Sequence, residues 1–216
     1  MTAVSAGRLV ILGAAGHARE TAWTAELCGY EVLGFVVTAL DRLGPYDTKA
    51  RVLGDYTWLD EHRAAYDGLA LGIGTPLARL RVGRELAARY PNVLWPALVH
   101  PTAIIDRTSA SLAAGSYVGA GVVATVDVHL GEYAVANFGC TLGHDAHLGP
   151  GVVVNPGANI SGGVTIEEGA QIGTGAQVLQ YLRIGAGASV GGGAVVTRDV
   201  PAGAVVIGVP ARAKAR

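Results

Sequence analysis

Residues 141–154 read TLGHDAHLGPGVVV, two histidines and a carboxylate set among small and aliphatic residues. The aliphatic residues keep a beat of six. Stepping from Leu112 through Val118, Ala124, Leu130, Ala136, Leu142, Leu148, Val154, Ile160, Ile166, Ile172, Val178, Ile184 and Val190 to Val196 meets thirteen Leu, Ile or Val and no polar residue. A periodicity this long has to be settled before any single residue is interpreted. Three places after each aliphatic residue glycine dominates, with Asp127, Tyr133, Asp145 and Tyr181 as exceptions; four places after it lies a second small or apolar residue. Two inward positions and one turn position requiring positive φ describe a short strand followed by a corner. Three such strands close a triangular coil of eighteen residues, so residues eighteen apart stack at about 4.8 Å. The fifteen hexads make five coils over residues 104–207.

That register assigns directions to side chains. Cys140 falls in an inward column, as a packing residue. His144, two places after Leu142, stands at a corner and projects outward, with Asp145 beside it. A carboxylate next to an imidazole can orient the ring and stabilise its protonated form, and imidazole titrates in the range that suits general-base work at neutral pH. His147 lies just before an inward aliphatic residue, and His129 stacks beneath it. The pair is either half of a metal site or two outward residues packed against a partner chain. Catalytic zinc needs three protein ligands, so a third would come from His144 or a neighbouring subunit.

The bulk composition limits the remaining possibilities. The chain has 216 residues, enough for two modest domains, with 15% charged residues, a net charge of -1 and 32 glycines. That glycine content is about twice the usual share, and no basic face for nucleic acid is present. No run approaches the ~20 apolar residues of a membrane span, and the N-terminus lacks a basic region of signal-peptide type. Two distant cysteines suit reduced thiols in a cytoplasmic protein.

The first hundred residues follow another pattern. RLVILGAAGHARETAWTAELCGYEVLGFVV predicts a strand over Leu9 to Leu12, a glycine turn, a helix from about His17 to Cys28, and a second strand from Glu31 to Val37. DGLALGIGTP predicts another strand ending in a glycine-rich turn, and TPLARLRVGRELAARY a helix after it. This alternation points to a small Rossmann-like parallel α/β domain over 1–100, joined near Leu98 to Thr102 to the repeat over 101–216. Gly13, Ala15, Gly16 and His17 form the first strand-to-helix turn, where free amides can hold phosphate, and Gly74 with Thr75 forms the second. Two such loops at the carboxyl ends of parallel strands line one crevice. His17 either faces that crevice or is a solvated helix residue. Ala15 and Ala18 replace glycines of the dinucleotide fingerprint, and Thr38 stands where a ribose-binding acid belongs, which argues against a nicotinamide cofactor.

Nearly the whole chain resembles the hexapeptide-repeat sugar acetyltransferases of the sialic-acid O-acetyltransferase and bacillosamine-type nucleotide-amino-sugar N-acetyltransferase family. NFGCTLGHDAHLGPGVVVNPGANISGG, residues 137–163, is similar to the family's active-site segment. IGAGASVGGGAVVTRDVPAGAVVIGVPAR, residues 184–212, is similar to its coenzyme A segment, and GAAGHA to its nucleotide-sugar loop. The resemblance implies a left-handed parallel β-helix, a homotrimer with active sites between subunits, and acetyl-CoA as co-substrate with no metal. It implies His144 as base, Asp145 as orienting acid and Asn137 beside the acceptor. By the same resemblance, the Gly162 amide meets the thioester carbonyl and Gly192 lies along the pantetheine arm. Where the family has paired acids after the second strand and an IGN turn, this chain has Val37 and Thr38, and Gly74 and Thr75. The reading that follows is direct N-acetylation of a nucleotide-linked amino sugar. Sugar O-acetylation, a metal-dependent carbonic anhydrase and an inert trimeric scaffold are its alternatives.

Overall fold

The computed structural model describes residues 6–44 and 51–214. The N-terminal lobe runs β1 (Arg8–Leu12), α1 (Gly16–Leu27), β2 (Glu31–Val37), β3 (Val52–Asp55), α2 (Thr57–Glu61), β4 (Gly68–Leu71) and α3 (Pro76–Arg89). Its four strands form one sheet in the order β3-β2-β1-β4, and every pairing is parallel. The predicted strands and both long helices match within one or two residues. The sequence reading missed β3 and α2, whose apolar residues are too few to display a period.

From Leu98 onward the chain winds through nineteen short strands, from β5 (Leu98–Val99) to β23 (Arg212–Ala213), on three faces. Partners eighteen apart stack as the hexads require: Thr141 on Asn159, Val135 on Val153, His129 on His147. The coil is a left-handed parallel β-helix. All four non-glycine residues of the corner column, Asp127, Tyr133, Asp145 and Tyr181, hold positive φ between 55° and 60°, as the glycines there do. The corner thus imposes its conformation whatever residue occupies it, and a non-glycine residue there costs about 1–2 kcal/mol. The inward columns form one continuous core that includes Cys140. Its thiol donates to the Asn155 carbonyl at 3.1 Å, and burial pushes its pKa up to about 11, so it is no nucleophile.

The register breaks at both ends. Leu98 pairs with Tyr117, nineteen residues on, because the turn at Asp106 holds one extra residue; the Asp106 carboxylate closes it by accepting from Thr108 and Ser109. At the other end Ser189 pairs with Val205, sixteen residues on, and the last strand returns antiparallel.

The lobe sits on one face of the prism. There the outward residues Tyr117, Val135 and Val153 are buried against Ala14 and the α1 alanines Ala18, Ala22 and Ala25. Higher on that face the outward residues become Gln171 and Ser189. The lobe therefore covers only the lower coils. α3 reaches the neighbouring corner, where the Tyr133 hydroxyl donates to the Gly83 carbonyl at 3.2 Å.

Candidate active site

One corner of the prism carries a histidine–carboxylate pair. His144 and Asp145 occupy it consecutively, and their side chains remain 51% and 64% exposed. The left-handed backbone at Asp145, φ 58°, turns its carboxylate back toward its own neighbour, and Oδ2 lies 2.7 Å from His144 Nδ1. Aspartate tolerates this conformation better than most residues. A carboxylate can only accept, so Nδ1 carries the proton and Nε2 keeps its lone pair. In the neutral ring this fixes one tautomer, with Nε2 the nitrogen left free, on the side of Gly162.

One coil above, Gly162 and Gly163 leave the corner bare. A β-carbon at Gly162 would overlap the His144 ring at Nε2 and Cε1, and one at Gly163 would overlap the ring of Tyr181. Two aromatic rings therefore converge on the same pair of glycines, His144 from below and Tyr181 from above, with centroids 6.5 Å apart in a T-shaped arrangement. Gly162 accepts from the Tyr181 amide and Gly163 donates to the His144 carbonyl. Among the described residues the Gly162 N–H has no partner, although the residue is buried with the His144 ring lying against it.

Asn137 and Gly192 lie elsewhere. Both fall at or beside the preceding corner, one face of the prism away from His144, Asp145 and Gly162. Asn137 Oδ1 accepts from the Phe138 amide at 2.9 Å, and its Nδ2 has no partner among the described residues. Beside it a cavity of about 520 Å³ opens between α1 and this edge, with Glu20, Trp23, Tyr117 and Phe138 in its walls. Sequence reading could not find it, since it exists only where lobe and coil meet.

In the lobe, the carboxyl ends of the strands enclose a crevice of about 210 Å³ lined by Gly13, Ala14, Ala15, Val37, Thr38, Ala39, Tyr56 and Ile73, among others. Gly16 begins α1, while Gly74 and Thr75 precede α3. Ala15 and Thr75, the N-caps of these helices, supply no side-chain cap, and neither first turn holds an acid. Helix N-termini of this kind offer unpaired N–H groups to phosphate.

His17 is not among the residues that line that crevice, and it is not a solvated helix residue. Its side chain is 14% exposed and lies at the junction with the coil, edge-on to Tyr117 at 5.3 Å and 3.5 Å from Glu20. Burial holds its pKa below the ordinary value, the bond to Glu20 opposing this in part. Nε2 meets Arg79 Nη1 at 3.4 Å. Arg79, wholly buried, also donates to the carbonyls of Leu71, Ile73 and Tyr133, tying the second glycine-rich loop to the coil. Desolvation brings its pKa down to about 9, which leaves it charged at neutral pH. Nothing in PLARLRVG distinguishes this arginine from a solvated helix residue.

His129 and His147 stack as expected, with ring centroids 5.8 Å apart. Among the described residues no three His, Cys, Asp or Glu side chains gather to hold a metal. No helix among them is long and apolar enough to cross a membrane.

A left-handed prism with an oriented imidazole on its edge and a free amide beside it is the frame of an acyltransferase. No family model and no curated protein sequence matches the chain. Solved structures do. A histidine variant of perosamine N-acetyltransferase from Caulobacter crescentus, in complex with CoA and GDP-perosamine, is 32% identical over 100% of both chains with a TM-score of 0.89. WeeI from Acinetobacter baumannii is 26% identical over 95% of this chain and 99% of its own, TM-score 0.83. The acetyltransferase domain of PglB from Neisseria gonorrhoeae, in complex with acetyl coenzyme A, is 29% identical over 96% and 98%, TM-score 0.72. The chain belongs to the hexapeptide-repeat nucleotide-amino-sugar N-acetyltransferases.

Proposed function

We propose that this enzyme transfers an acetyl group from acetyl-CoA directly to the amine of a nucleotide-linked amino sugar, with His144 as general base. The amine nitrogen attacks the thioester carbonyl carbon while His144 Nε2 takes its proton. Asp145 stabilises the imidazolium through Nδ1, and the Gly162 amide donates to the developing oxyanion. Collapse breaks the C–S bond, and the imidazolium returns the proton to the departing CoA sulfur. Products are the acetamido sugar and free CoA. The reading rests above all on the 2.7 Å contact that leaves Nε2 as the only free ring nitrogen, held on an open edge.

Residues 1–100 form the nucleotide-sugar domain, its crevice and two uncapped helix starts receiving the nucleotide diphosphate; residues 101–216 form the acetyl-CoA and catalytic domain. The base, with Gly162, and the remaining groups, Asn137 and Gly192, occupy different edges of one prism. That separation supports a homotrimer in which a site is completed by the neighbouring subunit. Use of acetyl-CoA and reduced thiols suit the cytoplasm. The complexes of the similar structures with CoA, acetyl coenzyme A and GDP-perosamine support the substrate pair.

Free CoA release measured with GDP-, UDP- and dTDP-linked amino sugars tests the reading. His144→Ala is expected to lower kcat by about 10²–10⁴-fold. Undiminished turnover in that variant would remove the base, and reaction with hydroxyl acceptors alone would remove the amine.

A further inference from the structure

Fourteen corners between Gly115 and Gly193 share one backbone conformation, and ten carry glycine. Of the four that do not, Asp145 orients His144 and Tyr133 anchors α3 through its buried ring and hydroxyl. Tyr181 has no comparable structural bond. It is 73% exposed, yet it keeps φ at 60°, a conformation that bulky side chains avoid. Its ring leans down over Gly163, one coil below, and meets the His144 imidazole a further coil down in a T-shaped contact with centroids 6.5 Å apart. Only because residues 162 and 163 lack side chains can the two rings share that corner. Backbone strain kept at an exposed position, with no packing return, is a pattern found at functional sites.

We propose that Tyr181 is a positioning residue for the acetyl transfer: its aromatic ring, with the bare corner at Gly162 and Gly163, confines the His144 ring to the orientation in which Nε2 faces the acceptor. The proposal rests on His144 being the base. Asp145 fixes which nitrogen is protonated but leaves the ring free to swing about its Nδ1 contact. Tyr181 supplies the second restraint. T-shaped pairs with centroids in this range attract each other. The restraint comes from the ring and not from the hydroxyl, which has no partner among the described residues.

The test is Tyr181→Gly beside Tyr181→Phe. Tyr181→Gly installs the residue that ten sister corners carry, so the variant folds with a thermal midpoint equal to or above that of the parent. Its kcat falls about 10- to 100-fold, the cost of a displaced catalytic group, while KM for acetyl-CoA and for the acceptor stays within about two-fold. Tyr181→Phe retains the parent kcat. Long-range 1H–15N spectra of the imidazole, assigned with His144→Ala, give a second readout that needs no turnover. Cross-peaks of a fixed Nδ1–H tautomer in the parent and in Tyr181→Phe are expected to broaden or average in Tyr181→Gly. Unchanged kcat with unchanged spectra in Tyr181→Gly would overturn the proposal, as would a raised KM at constant kcat, which would make Tyr181 a substrate contact. If the parent transfers no acetyl group to any acceptor, the proposed function fails, while the spectra still decide whether Tyr181 restrains the ring.

Discussion

Gly162 shows how much of this site depends on what a residue lacks. Its φ lies outside the positive range, so alanine is sterically allowed by the backbone itself, yet a β-carbon there would occupy the place of the His144 ring. Because that ring is half exposed, it can yield at little cost to the fold. Gly162→Ala is therefore expected to keep stability within about 1 kcal/mol of the parent and to lower kcat about ten-fold or more by displacing Nε2. Thermal unfolding together with steady-state kinetics checks both parts. A variant with normal turnover would show that the imidazole can work from another position. The same scale explains what the sequence made legible. His144 and Asp145 could be placed outward by counting from Leu142, since the hexad fixes direction as well as period. Tyr181 could be seen as an exception in the glycine column, but its lean across two coils toward His144 is a rotamer choice that no spacing records.

Between elements, the junction of lobe and coil carries a titrating group. His17, in the first turn of α1, sits between Arg79 of α3 and Tyr117 of the coil; Glu20 is its acidic neighbour and Arg79 its cationic one. Burial lowers its folded pKa, so the unfolded chain binds the proton more readily. The sign follows from linkage: the stability associated with neutral His17 is complete above the unfolded value of about 6.5 and is lost as pH falls from there toward the lowered folded pKa. His17→Gln removes that titration. Thermal midpoints of parent and variant are expected to run parallel from pH 7 to 8, with the parent falling relative to the variant below about pH 6.5. Parallel curves down to pH 5 would show that the ring does not feel the interface. This junction was only partly readable beforehand. The outward column of one face runs Tyr117, Val135, Val153, Gln171, Ser189, and its change from apolar to polar marks where the lobe stops. Arg79 left no such mark, because a buried cation satisfied by backbone carbonyls needs no acidic partner elsewhere in the sequence.

For the whole molecule, the distribution of groups over two edges makes a prediction about assembly. If a site takes His144 from one subunit and the Asn137–Gly192 edge from the next, two inactive variants on different edges complement each other. Co-refolded His144→Ala and Gly192→Trp are expected to recover about a quarter of parental sites, since each site then draws each edge at random from two kinds of subunit. Sedimentation of the mixture would show trimers. No recovery in mixed trimers would place the whole site within one chain.

The stacked corners have a further consequence for how such a site can change. Along an edge, positions come in fixed increments, one for each turn of the prism, about 4.8 Å apart. A new side chain cannot approach the base gradually by drifting along the backbone. It must arrive on a neighbouring rung and bridge the remaining gap by its own length, through a rung stripped of side chains. The paired glycines at 162 and 163 are such a vacated rung, and an eighteen-residue insertion between Gly163 and Tyr181 would put the tyrosine out of reach while keeping the hexad register of the coils on either side.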